Sequence, residues 1–154
     1  MTIVVKKLEA QEEYDSVRSI RTEVFVNEQG VPSEVEFDNY DETAIHAVAY
    51  EYDKIVGTGR LIIDTATDAR IGRMAVNESS RRKGVGSQIL AFLENTAKSN
   101  GIRHITLHAQ HYVRDFYEEN GYREQGETFV EAGILHVEMS KVISYRDHKQ
   151  AVVK

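Results

Sequence analysis

The sequence feature that most constrains this chain is a basic, glycine-containing turn between a β-like segment and an amphipathic helix. The turn is the run RRKGVGS at residues 81–87, and it follows the apolar segment 71–76. Its two glycines allow backbone conformations that a Cβ would forbid. The first amides of a helix have no intrahelical partner and carry partial positive charge, and three cationic side chains flank the same place. The turn therefore predicts a binding loop for a phosphate or pyrophosphate.

Length and composition predict one folded domain. With 154 residues, of which 41% are hydrophobic and 29% charged, the chain is long enough to bury a sizeable core. The absence of cysteine excludes disulfides, thiolate catalysis and cysteine-based metal sites. The first residues show no signal-peptide pattern, and no apolar stretch approaches the length of a membrane span. We therefore expect a cytoplasmic protein.

The net charge of −6 argues against general binding of nucleic acids. The distribution of the charge is more informative, because residues 22–53 contain no lysine or arginine. The acidic residues of this stretch are Glu23, Glu28, Glu34, Glu36, Asp38, Asp41, Glu42, Glu51 and Asp53. They indicate either solvated loops or a surface that attracts a cationic substrate, and the sequence leaves both open.

Apolar periodicity predicts an α+β fold with a mostly antiparallel sheet. Val85, Ile89, Leu93 and Ala97 recur every four residues and predict a helix after the glycine turn. The predicted strands are 3–8, 44–52, 55–63, 69–76, 104–109, 122–130 and 134–142, and the other predicted helices are 9–27 and 113–120. A tight turn at Asp53-Lys54 predicts a hairpin. We expect one domain over residues 1–143, followed by a polar tail over 144–154.

Two motifs resemble the GNAT superfamily of N-acetyltransferases. Arg81, Gly84 and Gly86 occupy the positions of its Gln/Arg-x-x-Gly-x-Gly/Ala acetyl-CoA signature. About thirty residues on, segment 116–122 (FYEENGY) is similar to its aromatic-Tyr-x-x-x-Gly-Phe element. Segments 24–32 (VFVNEQGVP) and 132–139 (AGILHVEM) further resemble the ElaA/YjcF-like branch of small bacterial acetyltransferases.

The resemblance implies a mixed sheet of about six to seven strands, splayed in the middle and flanked by about four helices. It also implies acetyl-CoA as the cosubstrate, CoA as the product, and a homodimer. By this analogy the pyrophosphate is bound by the loop residues Arg81, Arg82, Lys83, Gly84, Val85, Gly86 and Ser87. The backbone of Met74, Ala75 and Val76 is expected to face the pantetheine arm, and Gln110 to bind a cofactor amide. The structural alternative is a solvated turn for residues 81–83, an ordinary paired strand for residues 74–76, and an ordinary loop residue for Gln110.

The expected catalytic residues are Tyr117, which would protonate the departing thiolate, and Glu28, which would accept the proton of the amine. The alternative for Tyr117 is a core tyrosine. His46, His108 and His136 are rival bases and, with Glu28 and Gln29, candidate acceptor-binding residues, although single histidines on strands are more often structural. We expect no metal site, because no carboxylate cluster or His-x-x-x-His helix accompanies them. A Gly-x-Ser-x-Gly element is absent, which argues against a serine hydrolase.

These observations predict direct acetyl transfer to the primary amine of a small molecule (an amino sugar, a polyamine or an amino acid derivative). The first alternative is a CoA-responsive binding module without catalysis, and the second is a protein lysine or N-terminal acetyltransferase. Neither nucleic acid nor membrane is expected as a partner.

Overall fold

A computed structural model describes residues 2–143 of the chain, so the predicted tail at 144–154 lies outside the described residues. The strands and α-helices are β1 (Ile3–Lys7), α1 (Gln11–Arg21), α2 (Ser33–Glu36), β2 (Ile45–Glu51), β3 (Lys54–Ile63), β4 (Asp68–Val76), α3 (Val85–Ser99), β5 (His104–Gln110), α4 (Arg114–Glu119), β6 (Arg123–Glu131) and β7 (Ile134–Val142). A π-helix spans Thr22–Glu28, and 3-10 turns span Asn39–Glu42, Glu78–Ser80 and His111–Val113.

The seven strands form one sheet in the order β1-β2-β3-β4-β5-β7-β6. The pairs β1–β2, β2–β3, β5–β7 and β6–β7 are antiparallel, whereas β4 and β5 are parallel. The parallel pairing runs only from Asp68–His104 to Arg70–Thr106, although β4 continues to Val76 and β5 to Gln110. The predicted α+β class, with a mostly antiparallel sheet splayed in its middle and four α-helices, is confirmed.

The described residues group into two compact units. The first unit contains residues 2–62 and 72–93, and the second contains residues 63–71 and 94–143. Whether the chain behaves as the single domain expected from the sequence stays a prediction.

In the first unit, the helix predicted over residues 9–27 is divided. It begins as α1 and continues as the π-helix Thr22–Glu28. The spacing of the apolar residues does not predict the wider turns of a π-helix. Val17, Ile20, Val24 and Phe25 are buried, as expected from the apolar stripe. The β2–β3 hairpin turns at Tyr52-Asp53, one residue earlier than predicted, because Tyr52 adopts the left-handed backbone (φ 57°) that such a turn requires.

Two glycines of β3 bring α3 close to the sheet in the same unit. A Cβ at Gly57 would lie 2.9 Å from Ile89 Cδ1, and one at Gly59 would lie 2.9 Å from Ile89 Cγ2. Val85, Ile89 and Leu93 are buried there, which confirms the predicted inner face of the helix. The position of α3, and therefore of the loop that precedes it, is fixed by this contact.

In the second unit, β5 alternates as predicted, with Ile105, Leu107 and Ala109 buried. The helix expected over residues 113–120 is shorter, because α4 begins at Arg114 after a 3-10 turn. The β6–β7 hairpin turns through residues 132 and 133, both with positive φ, at the predicted place.

Candidate functional site

The loop between β4 and α3 is anchored at both ends in the first unit. The amide of Asn77, just after β4, donates to the carbonyl of Val56 at 2.8 Å. Ser80 is buried, and its Oγ donates to Glu51 Oε1 at 3.3 Å. The amide of Gln88 donates to the carbonyl of Gly84 at 3.1 Å, which starts the hydrogen-bond ladder of α3. The loop residues between these anchors are thereby held at the head of the helix.

The open part of this loop is the part that the sequence marks as an anion site. Arg82, Lys83 and Gly84 are exposed, whereas Val85 is buried beneath them. Gly84 has a φ of 82°, and no atom lies within 4 Å of the position that its Cβ would take. The space above the loop therefore admits a ligand, and a phosphate there would meet the unpaired first amides of α3.

The two glycines of the motif have different roles. Only Gly84 uses the left-handed backbone that a Cβ disfavours, whereas Gly86 lies in the first turn of α3. Arg82 is also left-handed, with a φ of 64°. The expectation that both glycines supply unusual backbone conformations is therefore wrong for Gly86.

Arg81 does not extend freely toward a ligand. Its Nε donates to the carbonyl of Val76 at 2.8 Å, and its Nη2 donates to the two carboxylate oxygens of Glu28 at 2.9 and 3.2 Å. The Glu28 side chain is 28% exposed. Arg81 thus joins the end of β4 to the end of the π-helix. It also occupies the carbonyl of Val76, one of the backbone groups expected to face the pantetheine arm.

The acidic stretch is largely paired within the protein. Glu36, Asp38 and Asp41 bind arginines 21, 60 and 73, all of which lie outside residues 22–53. Lys83 Nζ lies 4.0 Å from Glu51 Oε2. Glu36 and Asp41 are buried and Asp38 is half-buried, so these paired carboxylates are not available to attract a cation. The exposed acids of the stretch are Glu23, Glu28, Glu34, Glu42 and Asp53, of which Glu28 is paired with Arg81.

An open groove of about 560 Å³ lies beside α1 in the first unit. It runs between the helix and the β2–β3 turn, and Asn77 also lines it. Glu12, Glu23 and Asp53 give this groove a negative lining, with Lys54 as the opposing charge.

Tyr117 lies in the second unit and is 9% exposed. Its ring makes edge-to-face contacts with Phe116 at 5.0 Å and Tyr122 at 6.0 Å between centroids. Burial raises the pKa of Tyr117, so its hydroxyl stays protonated at physiological pH. Its neighbour Tyr122 donates to Glu94 Oε2 at 2.8 Å, and Lys141 binds the same carboxylate. The Tyr117 hydroxyl is therefore protonated, and its ring lies between those of Phe116 and Tyr122.

The three candidate histidines have different surroundings. His46, in the first unit, is buried with its Nε2 2.9 Å from the carbonyl of Asp41, and burial lowers its pKa. In the second unit, His108 Nδ1 lies 3.0 Å from Glu131 Oε2. His136 Nδ1 lies 2.7 Å from the carbonyl of Ile134.

His108 and His136 both contact Phe129, the former edge-on at 5.0 Å and the latter stacked at 5.9 Å. Gln110 pairs with His136 at the end of β5. Between residues 2 and 143, no group of three or more His, Asp and Glu side chains has a metal-binding arrangement. None of the helices in this part of the chain has the length and apolar character that a membrane crossing requires.

Comparison with known proteins gives a consistent result. The family model described as "Acetyltransferase (GNAT) domain" matches residues 6–143. YjcF of Bacillus subtilis, described as an uncharacterized N-acetyltransferase, is 39% identical over 123 residues, which are 79% of this chain and 87% of YjcF.

Two solved structures share the fold over most of the chain. A Lactobacillus plantarum protein, described as a candidate N-acetyltransferase, is 29% identical with a TM-score of 0.85, and the match covers 94% of this chain and all of that one. Escherichia coli ElaA is 25% identical with a TM-score of 0.80, and the match covers 91% of this chain and 99% of ElaA.

Proposed function

We propose, since this chain belongs to the GNAT family of acetyltransferases, that it transfers acetyl from acetyl-CoA to the primary amine of a small molecule. The expected family and its ElaA/YjcF-like branch are confirmed by the matches to YjcF and ElaA. The chain is accordingly an N-acetyltransferase. The acceptor classes that we propose are amino sugars, polyamines and amino acid derivatives. The observation that carries this proposal is the exposed loop at the head of α3, with open space above Gly84.

The cosubstrate is acetyl-CoA, and the loop is proposed to hold its pyrophosphate. The amides of residues 82–87 and the first turn of α3 supply the donors, and Arg82 and Lys83 add screened attraction of about 1 kcal/mol or less each. The backbone of Met74–Val76 is proposed to bind the pantetheine arm, and Gln110 a cofactor amide. In this proposal Arg81 donates hydrogen bonds to Val76 and Glu28 and does not itself bind the phosphate.

The proposed reaction is direct transfer without an acyl-enzyme, since the chain contains no cysteine and no activated nucleophile is evident. Acetyl-CoA supplies a thioester carbonyl, to which the amine nitrogen bonds while the carbon–sulfur bond breaks and the electron pair leaves on sulfur. Tyr117 is the proposed donor of a proton to that sulfur, and the proton that the nitrogen loses as the amide forms returns through solvent to the Tyr117 oxygen. Its buried, protonated hydroxyl supports the role.

The amine must lose its proton before it can attack. With an ammonium pKa of about 10.4, only about one amine in a few thousand is neutral at pH 7. Glu28 is the proposed proton acceptor, oriented by Arg81 and partly exposed at the end of the π-helix. Gln29, His46, His108 and His136 remain proposed contacts of the acceptor. We further propose a homodimer, which the family resemblance suggests, and a cytoplasmic location, which the sequence pattern favours.

The test combines CoA binding with thioester consumption over an amine panel. Calorimetry should show that the purified protein binds CoA, and at least one panel amine should drive CoA release. The Tyr117→Phe variant should lose about a hundredfold in turnover while its CoA affinity is unchanged, because general acid catalysis contributes on that scale. Tyr52→Phe makes the same chemical change at an exposed residue and should leave turnover intact.

Each other outcome has a definite meaning. Absence of CoA binding would end the proposal, and tight binding with a silent panel would favour the non-catalytic module. Acetyl-lysine formation on added proteins would move the acceptor class to proteins. Full turnover in Tyr117→Phe would remove Tyr117 from catalysis, and an unmoved acidic limb of the pH–rate profile in Glu28→Gln would remove Glu28.

A further inference from the structure

Three arginines and three carboxylates form one paired cluster around residues 33–42, which we call the acidic segment. The carboxylates Glu36, Asp38 and Asp41 all belong to this segment. The arginines belong to three other elements, namely Arg21 in α1, Arg60 in β3 and Arg73 in β4. The acidic segment is therefore held in place by the helix and strands around it, and the charges of the cluster balance.

Arg21 and Arg60 form the interior of the cluster. Arg21 is fully buried, and it donates from Nε to Glu36 and from Nη1 to Asp41, both at 2.8 Å. Arg60 donates from Nη1 to Asp38 at 2.7 Å and to Asp41 at 2.8 Å. Because removal of either arginine would strand a buried carboxylate, these two residues are required mainly for folding.

Arg73 differs from the other two arginines in its backbone and in what it binds. Its φ of 52° is left-handed, which is rare for a non-glycine residue within a strand and indicates stored strain. Its Nε donates to the carbonyl of Glu36 at 3.1 Å and lies 3.2 Å from the carboxylate of the same residue. Its Nη2 donates to Asp38 Oδ2 at 3.2 Å and to the carbonyl of Val35 at 3.4 Å. Arg73 thus holds the main chain of the segment as well as its carboxylates.

The charge state of the segment depends on this contact. Burial raises the pKa of Glu36, and the positive charge of Arg73 opposes the rise together with Arg21 and Arg60. Burial lowers the pKa of Arg73 in turn. A planar guanidinium can serve two carbonyls and two carboxylates at once, which a lysine ammonium cannot do in the same geometry.

Arg73 directly precedes Met74–Val76, the strand edge that the proposed function assigns to the pantetheine arm. We propose, on the basis of that function, that Arg73 is a positioning residue that links occupancy of this strand edge to the order of the acidic segment. A ligand that fixes the backbone of β4 fixes the strained Arg73 next to it. The guanidinium then restrains the carbonyls of Val35 and Glu36, and with them the short helix α2.

Hydrogen exchange of the amides in residues 33–42, with and without saturating CoA, tests this link. In the wild type, CoA should slow their exchange. In Arg73→Met, exchange should be about tenfold faster or more, and CoA should no longer slow it, because the restraint on the segment is lost. The CoA affinity of the same samples, measured by calorimetry, should change less than about threefold, since Arg73 is outside the proposed anion loop.

The matched variants separate this role from a general loss of structure. Arg73→Lys keeps the positive charge but lacks the planar guanidinium. In this variant CoA should also no longer slow the exchange of the amides in residues 33–42. Arg70→Met removes an arginine of the same strand whose exposed carboxylate partner is Asp64, and it should behave as the wild type. If Arg73→Met does not fold, Arg73→Lys carries the test.

The result that overturns the inference leaves the proposed function standing. That result is CoA binding without slowed exchange in the wild type, or retained slowing in a folded Arg73 variant. Failure of the wild type to bind CoA would instead overturn the proposed function, and the inference with it.

Discussion

At the scale of single residues, Glu13 shows how the first helix is held. Its carboxylate accepts hydrogen bonds from the Tyr50 hydroxyl at 2.6 Å and from the amides of Glu9 and Ala10 at 2.9 and 3.1 Å. The Tyr50 hydrogen bond is the main reason that the pKa of Glu13 falls from 4.5 to about 2. Because the pKa is lower in the folded state, this stabilisation is complete above pH 4.5 and is lost as the pH falls toward 2.

We predict that Glu13→Gln lowers the free energy of unfolding by about 1.5–3 kcal/mol at pH 7, the usual contribution of hydrogen bonds to a charged group. The gap to the wild type should narrow as the pH falls from 5 to 3, which urea unfolding followed by circular dichroism would measure. Glu12→Gln is the control, because it removes the same charge from an exposed neighbour in the same helical turn. A gap that does not change with pH would contradict the assignment.

At the scale of elements, the contact between β3 and α3 sets the place of the proposed anion loop. A Cβ at Gly59 would lie 2.7 Å from Met74 Sδ on β4 and 3.1 Å from Leu93 Cδ1 on α3, so the side chains packed between the strand and the helix would have to shift. We predict that Gly59→Ala lowers the free energy of unfolding by about 1–3 kcal/mol, as overpacking does. In the control Gly72→Ala, the added Cβ meets no atom within 4 Å, and urea unfolding should show no loss. If Gly59→Ala has the same free energy of unfolding as Gly72→Ala, the packing between β3 and α3 tolerates the added Cβ.

The sequence predicts a helix or strand correctly where the pattern of apolar residues lies within that element. Val85, Ile89 and Leu93 repeat at helical spacing, and their burial on α3 follows directly. The π-helix was not predictable, because its i→i+5 bonds leave no distinct apolar period in a seven-residue run. The hairpin turn lies one residue earlier than predicted, because Tyr52, a residue type that does not indicate a turn, adopts the left-handed backbone (φ 57°).

The candidate site shows the same division between local and distant information. The loop before α3 was recognisable because its glycines, basic residues and helix are neighbours in sequence. The sequence does not predict the hydrogen bonds between Arg81 and Glu28, because the two residues are 53 positions apart. The same holds for Arg73 and Asp38, which are 35 positions apart. Only the fold determines which carboxylate each arginine binds. The sequence alone therefore does not show that the acidic stretch is largely paired.

At the scale of the whole molecule, the net charge of −6 opposes the approach of a polyanion such as CoA. The proposed binding loop must overcome this repulsion with local attraction. Arg81 is held by hydrogen bonds to Glu28 and Val76, whereas Lys83 has only a 4.0 Å contact with Glu51, so the exposed Arg82 and Lys83 are the cations of the loop that a phosphate can meet. At physiological salt the Debye length is about 8 Å, so charges within the loop act on a bound phosphate while distant charges are screened.

We therefore predict that the double variant Arg82→Gln/Lys83→Gln raises the Kd for CoA by about tenfold at low salt, because each exposed cation contributes about 1 kcal/mol or less. The effect should shrink at about 0.5 M salt, where screening is nearly complete at these distances. The control Lys7→Gln/Lys54→Gln also lowers the net charge by two, to −8, but at exposed residues outside the loop. Calorimetry at two salt concentrations would measure all three proteins. If both double variants weaken binding equally, the charge of the whole molecule governs CoA binding, and the loop has no special electrostatic part in it.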